Sequence, residues 1–536
     1  MINKNNILYY SIIILILCSI LFSEPFLKYP YDMFYNLILL DTFYQVMGEL
    51  DTILPNRIWV DGVMGIGNIV DSSIVPDNPY IWHYLWAKIF YIMNISPLDI
   101  FLRAKIIHMT QIYISLFSIY YFSMVILRNL FTKIKPMDLK WLSFWSLIIW
   151  LTIFSTFSIV SHQVWIMWYS VNYQITLPLF WYITALTLVL FLEKTSLIKK
   201  IFFTLQILIL SKFILQAHSM EFMYYLMYLS LFILVFLDKV YFNFKKYFYV
   251  LLPIIITIGY FLTKFTSDRS RLFDYLSLEK LPILYTQIMK EGSLLVVHHY
   301  NRANSSINEL MYLIALSSIF FMIYLLITKY QNKTIGIQPR ILIFIGLSSL
   351  FILIPLYQFS GGLFSIITKM VVVNRLYYSS SLFILLPIFI YSIMTSYHTK
   401  FRYINLTLFI SLLSVSIFSK HSNIVTHNYY KNITSIKNSF IENKVGFNLS
   451  KQQIKTIGTL IQNYEEKNYT DRTIQYYVRA DIAFILKYFY KKNVYWEGRR
   501  ANPDYLSIYH KNKENTDYLH ILFKIPKDFP SYQPYL

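Results

Sequence analysis

Eleven runs of about 20 mainly apolar residues, almost free of charge, dominate this chain, and about 20 such residues cross the hydrocarbon of a bilayer as a helix. They lie near 7–23, 104–127, 141–160, 173–192, 199–217, 222–237, 246–263, 308–328, 340–358, 376–397 and 403–419. Only 14 % of the residues are charged, where a soluble domain carries about 25 %. Abundant apolar surface excludes a disordered chain, and a single cysteine, Cys18, excludes a disulfide scaffold. The first run lacks a small-x-small cleavage site and reads as a retained anchor rather than a signal peptide.

Lysine and arginine in short loops set the orientation. With the N-terminus inside, the inner loops hold Arg128, Lys133, Lys135 and Lys140, then Lys194, Lys199 and Lys200. Lys239, Lys245 and Lys246, then Lys329, Lys333 and Arg340, then Lys400 and Arg402 follow on the same side. The short outer loops 161–172 and 216–222 hold none. The formal charge of +20 is therefore mostly topology, which argues against a nucleic-acid partner and for the lipid bilayer.

The expected fold is a membrane all-α, polytopic bundle of about eleven helices over residues 1–419, carrying a small C-terminal α/β extracytoplasmic domain over 420–536. Two outer loops are large, 24–103 and 264–307. The first holds nine of the 28 acids: Glu24, Asp32, Asp41, Glu49, Asp51, Asp61, Asp71, Asp77 and Asp99. In the tail, Ser450-Lys451-Gln452-Gln453 reads as a capping box that opens a helix through about 466. A second helical run covers about 478–491, and 505–509 and 518–524 read as strands.

Ionisable groups at membrane depth are costly and suggest function by default. Four groups converge on the outer side. Asp32 stands in Tyr31-Asp32-Met33-Phe34-Tyr35, where a carboxylate also suits the start of an interfacial helix. Asp77 is held between Pro76 and Pro79, which stiffen the backbone. His218 and Glu221, three apart, share a helical face. They suit either a divalent ion, a proton relay, or a plain hydrogen-bonded helix corner. Lys264, Arg269, Arg271, Arg302 and Arg375 put cations on the side that topology leaves poor in them. They suit phosphate oxygens, a local anionic ligand or lipid headgroups. A carboxylate that takes a proton from a hydroxyl, beside cations or a metal that stabilise a departing lipid phosphate, meets the needs of sugar transfer from a polyprenyl-phosphate carrier.

The order of motifs resembles that of the GT-C membrane glycosyltransferases, in the group that contains protein O-mannosyltransferases and lipid A aminoarabinose transferases. Asp32-Met33-Phe34-Tyr35, Gly48 and Leu54-Pro55 stand where that family has an Asp-Glu-x-x-Tyr-like element, a glycine and a proline. Asp77-Asn78-Pro79-Tyr80-Ile81-Trp82-His83-Tyr84-Leu85, the bend Asn94-Ile95-Ser96-Pro97 and Arg103 at the head of the second span continue the pattern. Tyr169-Ser170-Val171-Asn172-Tyr173 resembles the stretch before the fourth span. The likeness covers about residues 1–195 in pattern and the whole chain in layout.

It implies a transferase in the bacterial inner (cytoplasmic) membrane that works on its outer face, for cell-envelope polysaccharide biosynthesis. The donor would be a polyprenyl-phosphate sugar and the acceptor a cell-envelope glycan, lipid or protein. Asp32 would be the catalytic base, with Asp41 in reserve because Asp41-Thr42-Phe43-Tyr44 repeats the Asp-x-x-Tyr spacing. Asp77, His218 and Glu221 would be candidate ligands for a divalent ion (Mg, Mn or Zn). The outer lysine and arginines would hold the donor phosphate. Two departures stand out: Met33 follows Asp32 where many relatives have Glu, and Asn78 stands where the aminoarabinose enzymes have a lysine. An O-antigen or capsule polymerase or ligase would rely on Arg269, Arg271 and Arg302, and a flippase or transporter is the alternative outside enzymes.

Overall fold

In a computed structural model, the described residues are 81–96, 100–150, 173–217, 219–238, 281–302, 336–367, 376–394, 451–467, 474–478 and 519–522, with single residues between these segments. They are mostly helical. In chain order the helices are α1 (Ile81–Ile92), α2 (Ile100–Leu130), α3 (Pro136–Ile149), α4 (Tyr173–Leu192), α5 (Leu197–Ala217) and α6 (Ser219–Val235). After them come α7 (Leu281–Arg302), α8 (Pro339–Ser349), α9 (Gln358–Ile367), α10 (Leu382–Met394) and α11 (Lys451–Lys467), and then the strands β1 (Ile474–Tyr477) and β2 (Leu519–Leu522). Among the described residues two helical stretches are long and apolar enough to cross a membrane, Met109–Leu130 and Ile175–Leu192. The runs read near 7–23, 246–263, 308–328 and 403–419 lie almost wholly outside the described residues.

Two compact units divide the chain. The first is drawn from Met1–Tyr9, Ile114–His162 and Thr176–Tyr430. Its centre is aromatic: the Trp181 ring of α4 lies 4.7 Å from Phe122 of α2, 5.4 Å from Tyr228 of α6 and 5.1 Å from Phe383 of α10. All four side chains are buried. Hydroxyls inside these apolar helices bond back to the carbonyl four residues earlier, as Ser123 does to Ile119 and Thr184 to Phe180. That leaves few bare polar groups in an apolar setting.

The ninth and tenth apolar runs differ from the expected continuous helices. α8 tightens into a 3-10 segment at Leu350–Leu356, and α10 is preceded by a 3-10 turn at Leu376–Ser379. The two breaks are tied by serines. Ser381 Oγ lies 2.5 Å from Ser348 Oγ and donates to the Ile345 carbonyl at 2.9 Å. Ser380 Oγ donates to the Ser349 carbonyl at 3.1 Å, and the Tyr228 hydroxyl to that of Ser379 at 2.6 Å. The hydroxyls thus replace partners that an unbroken helix would supply. The loop read at 264–307 contains a regular helix, α7, packed on α9. At that crossing a Cβ on Gly292 would collide with the Gln358 carbonyl, and one on Gly362 with the Ile288 carbonyl. Gln358 Nε2 completes the contact by donating to the Met289 carbonyl at 2.9 Å.

Just after α2 and just before α8, Phe131 and Ile337 form an antiparallel bridge. The Thr132 N–H donates to the Gly336 carbonyl at 2.9 Å and the Gln338 N–H to that of Leu130 at 2.8 Å. Gly336 holds φ at +61°, where a side chain would be strained and would also meet Thr132. Arg128 pairs with Glu193 at 2.5 Å and Arg340 with Asp238 at 2.6 Å, both partly exposed.

The second unit is drawn from Tyr10–Tyr113, Gln163–Ile175 and Lys431–Leu536. α1 ends in an αL residue, Asn94, with φ +52°. The Ile95 N–H reaches the Phe90 carbonyl at 2.9 Å and the Asn94 N–H that of Tyr91 at 3.1 Å, a Schellman turn that makes the bend read at Asn94-Ile95-Ser96-Pro97. In the tail, β1 and β2 are parallel with Gln475 opposite His520 and Tyr477 opposite Leu522. Tyr476 also makes a parallel bridge to Val494, so β1 lies between Val494 and β2. β1 itself was missed in the sequence, and Tyr509, read as the end of a strand, is helical. α11 and the strand at 519–522 match their expected positions.

Side chains of β1 point alternately to its two faces. The Tyr476 hydroxyl donates to Glu465 of α11 at 2.6 Å, and Lys492 Nζ donates to the other oxygen of Glu465 at 2.5 Å. Burial, then the hydrogen bond and charge of Glu465, push the Tyr476 phenol well above its ordinary pKa. On the same layer the Tyr490 hydroxyl donates to the Ile454 carbonyl at 2.8 Å. The next residue, Tyr477, faces the other way and packs edge-on against Tyr509 at 5.5 Å.

Candidate functional site

α1 buries Trp82, His83, Trp86, Ala87 and Phe90 along one side, the spacing of a helix with one apolar stripe. The Trp82 Nε1–H donates to Gln111 of α2 at 2.9 Å. The turn that ends α1 then presents the Ile95 carbonyl to Arg103, whose guanidinium donates to it at 2.5 Å. Arg103 is fully buried, with its guanidinium carbon 4.4 Å from the Tyr44 ring centre and 5.0 Å from that of Phe90. Removing a guanidinium from water costs several kcal/mol, in round terms about as much as its partners return. Aromatic faces supply part of that return.

Arg103 was recognised in the sequence as the head of a span but given no role at the site. An arginine inside a 31-residue, largely apolar helix was the signal that could have found it. Tyr44, the tyrosine of Asp41-Thr42-Phe43-Tyr44, is brought onto it across 59 positions of chain.

In the first unit, Glu221 occupies the first turn of α6 and is buried, 2 % exposed. Thr176 of α4, itself buried, donates to it at 3.2 Å. The free N–H groups of a helix start favour a carboxylate there. A buried carboxylate oxygen in this setting can hold a hard divalent ion, accept a proton, or cap the helix.

Of the other residues expected at the site, Asp32, Asp41, Asp77, His218, Lys264, Arg269, Arg271 and Arg375 lie outside the described residues. Arg302 is the last residue of α7. Among the described residues no group of three His, Cys, Asp or Glu is gathered as a metal site. Of the three expected metal ligands, only Glu221 is described. No family model, curated protein or solved structure matches the chain.

Proposed function

We propose that the chain is an integral membrane glycosyltransferase that moves a sugar from a polyprenyl-phosphate donor to a cell-envelope acceptor on the outer face. One observation supports the reading: Arg103, which stands at the head of the second span in the resemblance, meets Tyr44 of the reserve Asp41-Thr42-Phe43-Tyr44 element at 4.4 Å. Contacts between distant segments also fit the eleven-span topology. Arg128 with Glu193, Arg340 with Asp238 and Thr132 with Gly336 each join inner-side segments, while Thr176 with Glu221 and α7 with α9 join outer-side ones.

In this reaction Asp32 accepts the proton of the acceptor hydroxyl as its oxygen attacks the anomeric carbon. The carbon–oxygen bond to phosphate breaks, and the electron pair leaves with the polyprenyl phosphate. Direct displacement inverts the anomeric centre. Lys264, Arg269, Arg271, Arg302 and Arg375 balance the charge that develops on the phosphate. The oxygen donor at Glu221 fits a hard divalent ion, and Asp77 and His218 would be its companions. Such an ion would supply a further positive charge at the phosphate.

Purified protein in nanodiscs, given a panel of polyprenyl-phosphate sugars and cell-envelope acceptors, tests this. Wild type should transfer sugar, and Asp32→Asn should lose about 10²–10⁴-fold in rate, the usual worth of a general base. Full transfer by Asp32→Asn with loss in Asp41→Asn moves the base to the segment whose tyrosine touches Arg103. One observation favours a second reading. The paired helix breaks tied by Ser348, Ser349, Ser380 and Ser381 are of the kind that transporters use. Carrier binding without any transfer would select that flippase or transporter reading.

A further inference from the structure

The start of α5 carries cations where a helix disfavours them. The Ser196 hydroxyl accepts from the Lys199 N–H at 3.4 Å, which caps the helix at Leu197. The first turn holds no acid, and Lys194 and Lys199 stand before and after the cap, both exposed. Positive charge at this end opposes the helix dipole. The acid of this stretch, Glu193, is turned to α2, where Arg128 and Asn129 both donate to it. Among the described residues neither Lys194 nor Lys199 has an acid partner. Topology explains cations on the inner side, but not their place on the helix end that repels them.

Ile198, between these lysines, is 81 % exposed, more than any other large apolar side chain among the described residues. With Phe202, Leu205 and Ile209 it forms a stripe along one face of α5, each member more than half exposed. From Ile198 to Ile209 the helix rises roughly 16 Å, the depth of one leaflet of a bilayer whose core is about 30 Å thick. Cations at the head of a bare apolar stripe of that depth match the two parts of a lipid, an anionic head and a chain. Anionic lipids populate the cytoplasmic leaflet.

We propose that the start of α5 binds one anionic phospholipid of the inner leaflet, with Lys194 and Lys199 on its phosphate and a chain along Ile198, Phe202, Leu205 and Ile209. The proposal rests on α5 spanning the bilayer and not on sugar transfer, so it is tested with neither donor nor acceptor present.

Full-length protein in a nonionic detergent is titrated with phosphatidylglycerol, with phosphatidylcholine and glycerol phosphate as controls, and bound lipid is counted by native mass spectrometry. One phosphatidylglycerol per chain should be held, much more tightly than either control. Lys194→Gln with Lys199→Gln should weaken it about 30-fold, about fivefold for each lysine at an anionic surface, with the melting temperature in lipid-free detergent unchanged. Lys194→Arg with Lys199→Arg should retain it. Ile198→Ser, which keeps both lysines, should weaken it by a smaller factor. Lys133→Gln with Lys135→Gln removes two exposed cations from the inner loop after α2 and should leave it unchanged. Three results overturn the proposal. They are a control ligand bound as tightly as phosphatidylglycerol, affinity unchanged in the Lys194 and Lys199 pair, or an equal loss in the Lys133 and Lys135 pair. The last would assign the lipid to the charge of the whole inner face. Recovery of the chain in water without detergent would remove the membrane reading, and this site with it.

Discussion

The serine junction of the first unit and the β1 strand of the second both bury polar side chains, and they treat them differently. At the junction Ser348, Ser349, Ser380 and Ser381 all have partners, several of them main-chain carbonyls freed by the 3-10 breaks. On β1, Tyr476 is matched by Glu465 while the Gln475 amide stays half satisfied. A complete network holds a shape, whereas an open donor lowers stability and persists where something else selects for it. The junction is therefore the more completely paired of the two, and β1 the one with an open donor at Gln475.

The largest expected effect lies at the close crossing of α7 and α9 in the first unit. Gly362→Ala drives a Cβ into the Ile288 carbonyl, a backbone atom that cannot swing away. It should cost about 2–4 kcal/mol, as overpacking does, and appear as a lowered midpoint in denaturant titration of detergent-solubilised protein. A neutral result would mean that α7 and α9 do not cross this closely.

Next, Tyr228→Phe removes the donor to the Ser379 carbonyl. About 1 kcal/mol should be lost by the same titration, because buried hydrogen bonds in membrane bundles average well under the cost of an unpaired group in oil. No loss would show that the junction is not held by its network, and the contrast with β1 would fail.

The smallest effect sharpens the tail half of the contrast. The folded pKa of Tyr476 lies above its ordinary value of 10. The unfolded phenol therefore ionises first as pH rises, and the folded state, which holds the neutral form, loses stability above about pH 10. Tyr476→Phe should flatten this alkaline limb in melting curves at a series of pH values, with a loss of roughly 1 kcal/mol at neutral pH. An unchanged alkaline limb would mean that Glu465 does not hold the phenol.

Long helices were legible because their limits are chemical. α4 and α5 run as apolar stretches between polar ends, and their bounds fall close to the windows read at 173–192 and 199–217. The breaks in the ninth and tenth runs were not, because serine within an apolar stretch is compatible with an intact helix and its partners lie more than 30 positions away. β1 escaped because Ile474-Gln475-Tyr476-Tyr477 has no alternation: both faces are covered, so polar and aromatic residues are buried alike. Glu221 was recognised by its spacing from His218, but its burial and its Thr176 partner are tertiary facts. The meeting of Arg103 with Tyr44 joins residues 59 positions apart, which no local pattern signals.

The clasp between Thr132 and Gly336 has a consequence for biosynthesis. Its two halves are 204 residues apart, so at about 5–20 residues per second the ribosome needs roughly 10–40 s to supply the second half. Throughout that interval the Thr132 edge emerges without its partner, and a slow codon stretch before Gly336 would lengthen the exposure. Slowing translation there should raise degradation of the nascent chain more than slowing it after residue 340.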